Sequence, residues 1–207
     1  MNTGRVAKTL LWIILCVWLK SSFAQEIQNP SFEGPRGPSV IPAAWMPCGQ
    51  GSTPDTQPGS WLVNTPPSGG DSYLSLICRG KGVPFPDKWE TCQQHLSQPL
   101  QKGGCYRYSV DLARSGTFSA GSAYFTGSVM LRIWGGAESC SRDELLWDSG
   151  IVSQTEWFTY EFTITPENGD YPFLILEAYY QQLPTYSGNV LVDNLFFLGP
   201  CIPIASF

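Results

Sequence analysis

The chain has 207 residues, of which 14% are charged and 14% aromatic, and it contains 21 glycines and 17 prolines. Ordinary soluble domains have about 25% charged residues, so this composition largely excludes long amphipathic helices, whose solvent faces need Glu, Lys and Arg. Acidic residues outnumber basic ones, 17 to 12. Nucleic acids and anionic membranes are therefore disfavoured as partners, because both bind basic surfaces.

The first 24 residues have the three parts of a secretory signal peptide. Arg5 and Lys8 supply positive charge, residues 9–19 form an apolar run, and residues 22–24 form a small-x-small cleavage site. A membrane-spanning helix needs about 20 apolar residues, so this shorter run predicts a cleaved leader and not an anchor. We expect residues 25–207 to form one secreted domain that does not insert into a membrane.

The cysteine count of the predicted mature chain indicates disulfides. Cys16 lies in the leader, and six cysteines remain, which are Cys48, Cys78, Cys92, Cys105, Cys140 and Cys201. An even number in an exported chain predicts three disulfides, although six cysteines allow 15 pairings and the sequence does not choose among them. Metal binding is the competing interpretation, and the absence of any C-x2-C spacing argues against it.

Short apolar and alternating segments predict β-strands. They are rich in β-branched and aromatic residues and are bounded by Gly, Pro, Ser or Asn, and they cover residues 73–79, 106–113, 129–134, 157–164, 173–180 and 190–198. In 106–113, every second residue is apolar and the intervening positions carry Arg107, Ser109 and Asp111. Such alternation is typical of a sheet with one solvated face. The pattern predicts an antiparallel β-sandwich.

The order of several short motifs resembles a known family. These motifs lie at residues 29–34 (NPSFEG), 42–45 (PAAW), 68–74 (SGGDSYL), 94–96 (QHL), 99–100 (PL), 104–106 (GCY), 157–160 (WFTY) and 188–195 (GNVLVDNL). Their succession is similar to the galactose-binding-like jelly rolls, which are the cellulase-associated carbohydrate-binding modules and the related N-terminal modules of surface proteins from gliding bacteria. The resemblance implies an all-β, antiparallel jelly-roll sandwich. Six cysteines are more than such modules usually carry.

The resemblance also implies a structural calcium site. In the family, acidic residues from the two ends of the chain hold the ion together with main-chain carbonyls, and the matching positions here are Glu33 and Asp193. Asn29 and Asp71 are further candidate oxygen donors. Calcium takes six to eight oxygen ligands, which carboxylates and turn carbonyls supply. The alternative interpretation is that Glu33 is an edge carboxylate and Asp193 a turn residue.

The aromatic residues favour sugar binding. A sugar ring stacks its C–H face on Trp or Tyr while its hydroxyls bond to amides and carboxylates. Trp45 and Trp157 occupy positions that are core residues in the family. The remaining candidates for a binding face are Trp61, Trp89, Tyr124, Trp134, Tyr179, Tyr180 and Tyr186. For each of them, ordinary core or loop packing is the alternative.

The residue pattern does not favour an enzyme. Gly70, Asp71 and Ser72 resemble the nucleophile block of some serine esterases, but His95 is the one histidine and no helical pattern follows Ser72. We therefore interpret the block as a turn and His95 as a strand residue. Glu90 belongs to a local acidic cluster that we interpret as solvated loop charge, since a glycosidase needs two carboxylates facing each other across a cleft.

The sequence therefore predicts a secreted, non-catalytic binding module, acting outside the cell or at its surface. Its expected ligand is a carbohydrate of a cell surface or extracellular matrix. The alternative is a structural or adhesive surface protein whose partner is another protein, since a disulfide-linked sandwich serves either purpose.

Overall fold

A computed structural model describes residues 26–80, 88–180 and 186–201. The predicted leader, residues 1–24, lies outside these ranges. The described residues contain no helix, and hence none that is long and apolar enough to cross a membrane. Their strands are β1 (Met46–Pro47), β2 (Asp55–Gln57), β3 (Tyr73–Arg79), β4 (Lys88–Trp89), β5 (Thr91–Leu100), β6 (Tyr106–Ala113), β7 (Ser119–Ala120), β8 (Ala123–Tyr124), β9 (Gly127–Ser128), β10 (Met130–Gly136), β11 (Glu144–Asp148), β12 (Phe158–Ile164), β13 (Tyr171–Tyr179) and β14 (Gly188–Pro200).

Two sheets face each other. A five-stranded sheet has the order β1-β5-β13-β10-β11, and a seven-stranded sheet has the order β12-β6-β14-β3-β2, with β4 on β3 and β9 on β14. The strand pairs are antiparallel except β9 with β14. The long strands change sheet repeatedly along the chain, from β3 to β5 to β6 to β10, and again from β12 to β13 to β14. The predicted all-β, antiparallel jelly-roll sandwich is confirmed.

Alternating side chains build the core between the two sheets. In β6, Tyr108, Val110 and Leu112 are buried against the other sheet while Arg107 and Asp111 are partly exposed, as the sequence pattern predicts. Leu131 and Ile133 of β10 and the even-numbered apolar residues of β13 come from the opposite side. Trp45 joins the same core, as predicted. Burial of each such side chain contributes about 1.5–3 kcal/mol.

A second, smaller cluster lies on the outer face of the seven-stranded sheet. Tyr73, Phe118 and Phe125 are buried there, beneath the segment around Val63 and the β7–β8 hairpin. The Trp157 ring packs edge-on against Tyr73 with centroids 5.1 Å apart. Trp157 therefore has a packing role, as predicted, but in this outer cluster and only partly buried. The outer face of this sheet is covered where the hairpin crosses it.

The prediction of three disulfides is wrong. Two bonds form, Cys48–Cys140 and Cys105–Cys201. Cys78 and Cys92 are free thiols. Cys78 lies on β3 and Cys92 on β5, in different sheets, and both point into the main core. Burial raises the pKa of both thiols, so they pack as small apolar side chains and not as reactive groups.

Candidate functional site

The outer face of the five-stranded sheet carries an unusual set of side chains. On β13, Leu176 and Ala178 enter the core, so the alternation turns Glu177 and Tyr179 outward. On the neighbouring strand β10, Arg132 lies opposite Glu177 in the strand register. Aromatic, acidic and basic groups therefore share one sheet surface.

These side chains contact one another closely. The Arg132 guanidinium carbon lies 3.4 Å from the centroid of the Tyr179 ring and 5.9 Å from that of Trp134. Trp89 lies on β4, which pairs with β3, and its ring packs on Tyr179 and on Tyr180 with centroids 5.3 and 6.1 Å apart while 39% of the residue is exposed. A guanidinium over an aromatic face is a cation–π contact, which fixes both groups. We call Trp89, Arg132, Trp134, Arg142, Glu177 and Tyr179 the sheet-face site.

Glu177 is the electrostatic centre of the sheet-face site. Its side chain is 1% exposed, yet both carboxylate oxygens have charged or polar partners. Arg142 forms an ion pair with Oε1, and the Trp134 indole Nε1 donates to Oε2 at 2.8 Å. A buried carboxylate needs such partners because its hydration is lost. The result is a preorganised polar centre between partly exposed rings.

The loop of residues 137–143 lies over this face and supplies Arg142. Gln93 of β5, which is buried, binds the loop in both directions: its Nε2 donates to Ser139 at 2.6 Å and its Oε1 accepts from the Cys140 amide at 2.6 Å. The disulfide from Cys140 to Cys48 anchors the loop covalently. The loop is therefore held in one position above the sheet.

The other predicted ligand-binding aromatics lie elsewhere. Tyr180 is a correction, because it is 5% exposed and points into the main core, where its ring packs on Tyr186 at 4.9 Å. Tyr186 is partly buried and donates its hydroxyl to the Ser128 carbonyl. Trp61 and Tyr124 are exposed, but they belong to the segments that cover the seven-stranded sheet. The structure thus brings together Trp89, Trp134 and Tyr179 out of the seven candidates.

Sequence reasoning missed the charged members of the site. Arg132, Arg142 and Glu177 are absent from the predicted set, although one signal was available. Glu177 is the single charged residue within the apolar run 173–180. A lone carboxylate in a strand that is otherwise apolar predicts a buried acid that requires a partner. The arginine that pairs with it follows only from the fold.

Glu33 of the predicted calcium set binds a turn instead. Its carboxylate accepts the Asp71 amide at 3.0 Å and the Ser72 hydroxyl at 3.2 Å. Gly70 has φ +63° in this turn, and a Cβ there would meet the Glu33 carboxylate, so glycine permits the approach. Asn29 donates its amide to the Glu33 carbonyl at 2.8 Å. This carboxylate faces main-chain and hydroxyl donors.

Asp193 binds the other end of the same turn. Its Oδ2 accepts the Ser68 and Gly69 amides, both at 3.0 Å, and its Oδ1 accepts the Asn194 amide at 2.8 Å. Burial raises the pKa of Asp193 to about 6.

As placed, this donor set does not fit a shared calcium ion. Both carboxylates face N–H dipoles of one turn, which would repel a cation. Among the described residues, no group of three or more His, Cys, Asp and Glu side chains is arranged to hold a metal ion. Calcium binding stays a prediction of the resemblance.

The residues considered for catalysis lie in a turn, on a strand and at a sheet edge. Residues 70–72 belong to the turn just described, as predicted, and His95 is an exposed residue of β5 whose ring packs on Phe173. The interpretation of Glu90 as solvated loop charge is wrong, because Glu90 is 1% exposed. Its position after the short strand β4 turns it under the sheet edge and not into solvent.

The comparisons with known proteins concern the fold. No family model matches the chain, and no curated protein matches it. Among solved structures, a cyclase from Fischerella sp. TAU in complex with 4-(1H-indol-3-yl)butan-2-one aligns with 83% of this chain and 94% of its own, at 15% identity and a TM-score of 0.54. An arabinose-bound MgGH51 α-L-arabinofuranosidase aligns with 86% of this chain at 14% identity and a TM-score of 0.52, and this chain spans 26% of its length.

The comparison with solved structures also found carbohydrate-binding modules. A CBM4 structure aligns with 85% of this chain and 100% of its own, at 13% identity and a TM-score of 0.46. At identities this low, likeness shows the fold alone. At that level the chain is a jelly-roll β-sandwich of the kind predicted from the galactose-binding-like motifs.

Proposed function

We propose that this chain is a secreted, non-catalytic carbohydrate-binding module that holds its sugar on the sheet-face site. The observation that carries the proposal is the arrangement of Trp89, Tyr179 and Arg132. An exposed indole, a phenol and a stacked guanidinium form a continuous surface beside a buried carboxylate. Rings surrounded by planar polar groups are the chemistry that recognises a sugar.

Each part of the site has a role in this function. The Trp89 ring offers an apolar face on which the C–H side of a sugar ring stacks. Arg132 and Arg142 offer N–H donors to hydroxyl oxygens, and Glu177 stabilises both the Trp134 indole and the Arg142 guanidinium in fixed orientations. Because these groups are held before the ligand arrives, binding costs little side-chain entropy.

Secretion is supported by the disulfides and by the leader-like first 24 residues. Disulfides persist in oxidising compartments and are rare in the cytosol. The two bonds join residues 92 and 96 positions apart, so each closes a large part of the domain. A binding module that works outside the cell or at its surface gains from such bonds because they stabilise the fold where no chaperone is present.

A glycan array probed with the oxidised protein tests the proposal. We expect selective binding, and Trp89→Ala and Tyr179→Ala should each weaken it by about tenfold. Tyr124→Ala is the matched control, because Tyr124 is 69% exposed and lies outside the sheet-face site. Tyr180→Ala is unsuitable, since it would open a cavity in the core.

Two results would contradict the proposal. Trp89→Ala and Tyr179→Ala variants that bind as well as the wild type would remove the sheet-face site as the location. Absence of binding to any glycan by a folded protein would favour the alternative, a surface protein with a protein partner, which pull-down from the producing cell's surface fraction would then pursue.

A further inference from the structure

A cavity of about 150 Å³ lies between the outer face of the seven-stranded sheet and the β7–β8 hairpin. Asp55 of β2 and Glu90, the residue after β4, form its polar wall. Trp61, Phe118 and Phe125 form its aromatic wall. No residue of the sheet-face site lines it. A cavity of this size holds a molecule about as large as benzene.

The two carboxylates in this cavity are buried, and the hydrogen bonds that they accept from described residues come from neutral donors. Glu90 accepts from the Thr53 amide and hydroxyl at 3.2 and 2.9 Å and from the Ile77 amide at 3.0 Å. Asp55 accepts from the Ser39 amide at 2.7 Å. The Ser39, Thr53 and Ile77 amides can donate hydrogen bonds but cannot accept one, so they favour ionised carboxylates.

The charge of these carboxylates is not balanced within the part of the chain that the structure describes. There, the ion pairs are Arg107–Glu161 and Arg142–Glu177, and neither involves Asp55 or Glu90. Arg79 also lines the cavity and donates from Nη2 to the Gly51 carbonyl at 3.0 Å. The lining thus carries two acidic groups and one basic group.

Burial has the expected effect on both acids. Loss of hydration raises the pKa of Asp55 to about 6 and that of Glu90 to about 7. The negative charge of Asp55 also raises the pKa of Glu90, because two like charges close together repel each other. Buried charges in proteins are normally paired. A positive charge inside the cavity would relieve both effects.

The backbone beside the cavity is strained. Trp61 and Leu62 are consecutive non-glycine residues with φ of 54° and 61°. Residues other than glycine rarely have a positive φ, and such backbone strain is concentrated at ligand-binding and active sites. Trp61 lines the cavity with 39% of the residue still exposed.

We propose that this cavity binds a small organic ammonium ion, with its positive charge beside Asp55 and Glu90 and its hydrocarbon part against Trp61, Phe118 and Phe125. Charge attraction and contact with aromatic faces act together on such a ligand. The cavity shares no lining residue with the sheet-face site, although Glu90 directly follows Trp89 in the chain, so the protein would hold a small cation and a glycan at two neighbouring sites.

Benzylammonium chloride tests this proposal, with benzyl alcohol as the neutral molecule of the same shape. We expect titration calorimetry of the full mature protein at pH 8 to show saturable binding of the cation and binding of the alcohol at least about tenfold weaker. Asp55→Asn and Glu90→Gln should each weaken cation binding by about tenfold or more. Glu161→Gln, a change of an exposed acid on β12, should leave it unchanged.

A pH series on the wild-type protein gives the same test without mutation. The groups near the carboxylates are Arg79, which lines the cavity, and the thiols of Cys78 and Cys92. Burial raises the pKa of both thiols, so neither thiol ionises between pH 5 and 8. Benzylammonium affinity should therefore rise from pH 5 to pH 8 as Asp55 and Glu90 ionise. Equal binding of cation and alcohol, a flat pH series, or no binding of either probe would each overturn the proposal.

Discussion

Each of the two sheets has a buried glutamate beside its outer face, and the two glutamates have different partners. Glu177, on the five-stranded sheet, is 1% exposed and pairs with Arg142, while Arg132 lies opposite it in the register. Glu90, beside the seven-stranded sheet, is also 1% exposed, but its partners are two amides and a hydroxyl. The two glutamates are therefore equally buried, but only Glu177 has an arginine that balances its charge in the part of the chain that the structure describes.

The different partners of Glu177 and Glu90 suit the two surfaces to different ligands. A paired carboxylate is electrostatically complete, so the sheet-face site offers a fixed polar surface to a neutral ligand such as a sugar. An unpaired carboxylate keeps an unmet demand for positive charge, which a cavity can satisfy with a cation. The two surfaces therefore differ in the partners of their buried glutamates and not in how deeply those glutamates are buried.

The largest expected effect comes from releasing the loop that supplies Arg142. Replacing both Cys48 and Cys140 by Ser should lower the free energy of unfolding by about 4 kcal/mol, since the bond joins residues 92 apart and constrains the unfolded chain. Urea denaturation measures the loss. Glycan affinity should fall with it, while cation binding in the Asp55–Glu90 cavity should persist. If both activities fall together in the folded variant, the two faces are not independent.

The next effect concerns pH. Asp55 and Asp193 have pKa values raised to about 6, and Glu90 to about 7. These three groups bind protons in the folded protein that they release in the unfolded chain, so their contribution to stability is fully present below the unfolded pKa of about 4 and is lost as pH rises through 6 and 7. We expect the free energy of unfolding to be on the order of 3 kcal/mol lower at pH 8 than at pH 5.

Thermal unfolding monitored by circular dichroism at constant ionic strength measures this pH effect. The Asp55→Asn, Glu90→Gln double variant should show a smaller decline between pH 5 and pH 8 than the wild type. A protein whose melting temperature rises over this range would contradict the assignment of raised pKa values to the unpaired acids.

Paired charges should behave in the opposite way. Arg142→Ala removes the partner of a buried carboxylate and should cost about 2 kcal/mol, since a hydrogen-bonded charge is left without its counter-ion. Arg107→Ala is the matched control, because the Arg107–Glu161 pair is 3.8 Å long and exposed on both sides, and such pairs contribute about 0–1 kcal/mol. Equal costs for the two changes, measured by urea denaturation, would show that Glu177 does not depend on Arg142.

The strands that alternate cleanly were predictable from sequence. Residues 73–79 and 106–113 match β3 and β6 to the residue. The ten-residue strand β5 was predicted only around His95, because its core-facing and outward positions include Gln93 and Gln94. Gln94 is buried because it binds the Gln28 main chain in both directions. A polar strand whose amides are satisfied by distant segments has no apolar signature.

The candidate site was predictable in part, for a related reason. The polar context of Trp89 and the end of strand 173–180 indicated exposed rings, and Trp89 and Tyr179 do meet. The alternation of strands places Tyr179 and Tyr180 on opposite faces, but which face is solvated depends on the register with β10. Glu177 stands out as the single charged residue of the run 173–180, but its neighbour Arg132 is identified only through that register. The pairing of the cysteines likewise depends on which of them the fold brings together.

The smallest expected effect concerns the turn of residues 68–72, which is held from two sides by Glu33 and Asp193. Because both carboxylates are occupied by donors of this turn, a chelator should change the melting temperature of the protein by less than about 1 °C. A matched scan in millimolar calcium is the reference. A decrease of several degrees on chelation would instead support the calcium site that the resemblance implies, and it would require the Ser68 and Gly69 amides to turn away from Asp193 so that oxygen ligands could face the ion.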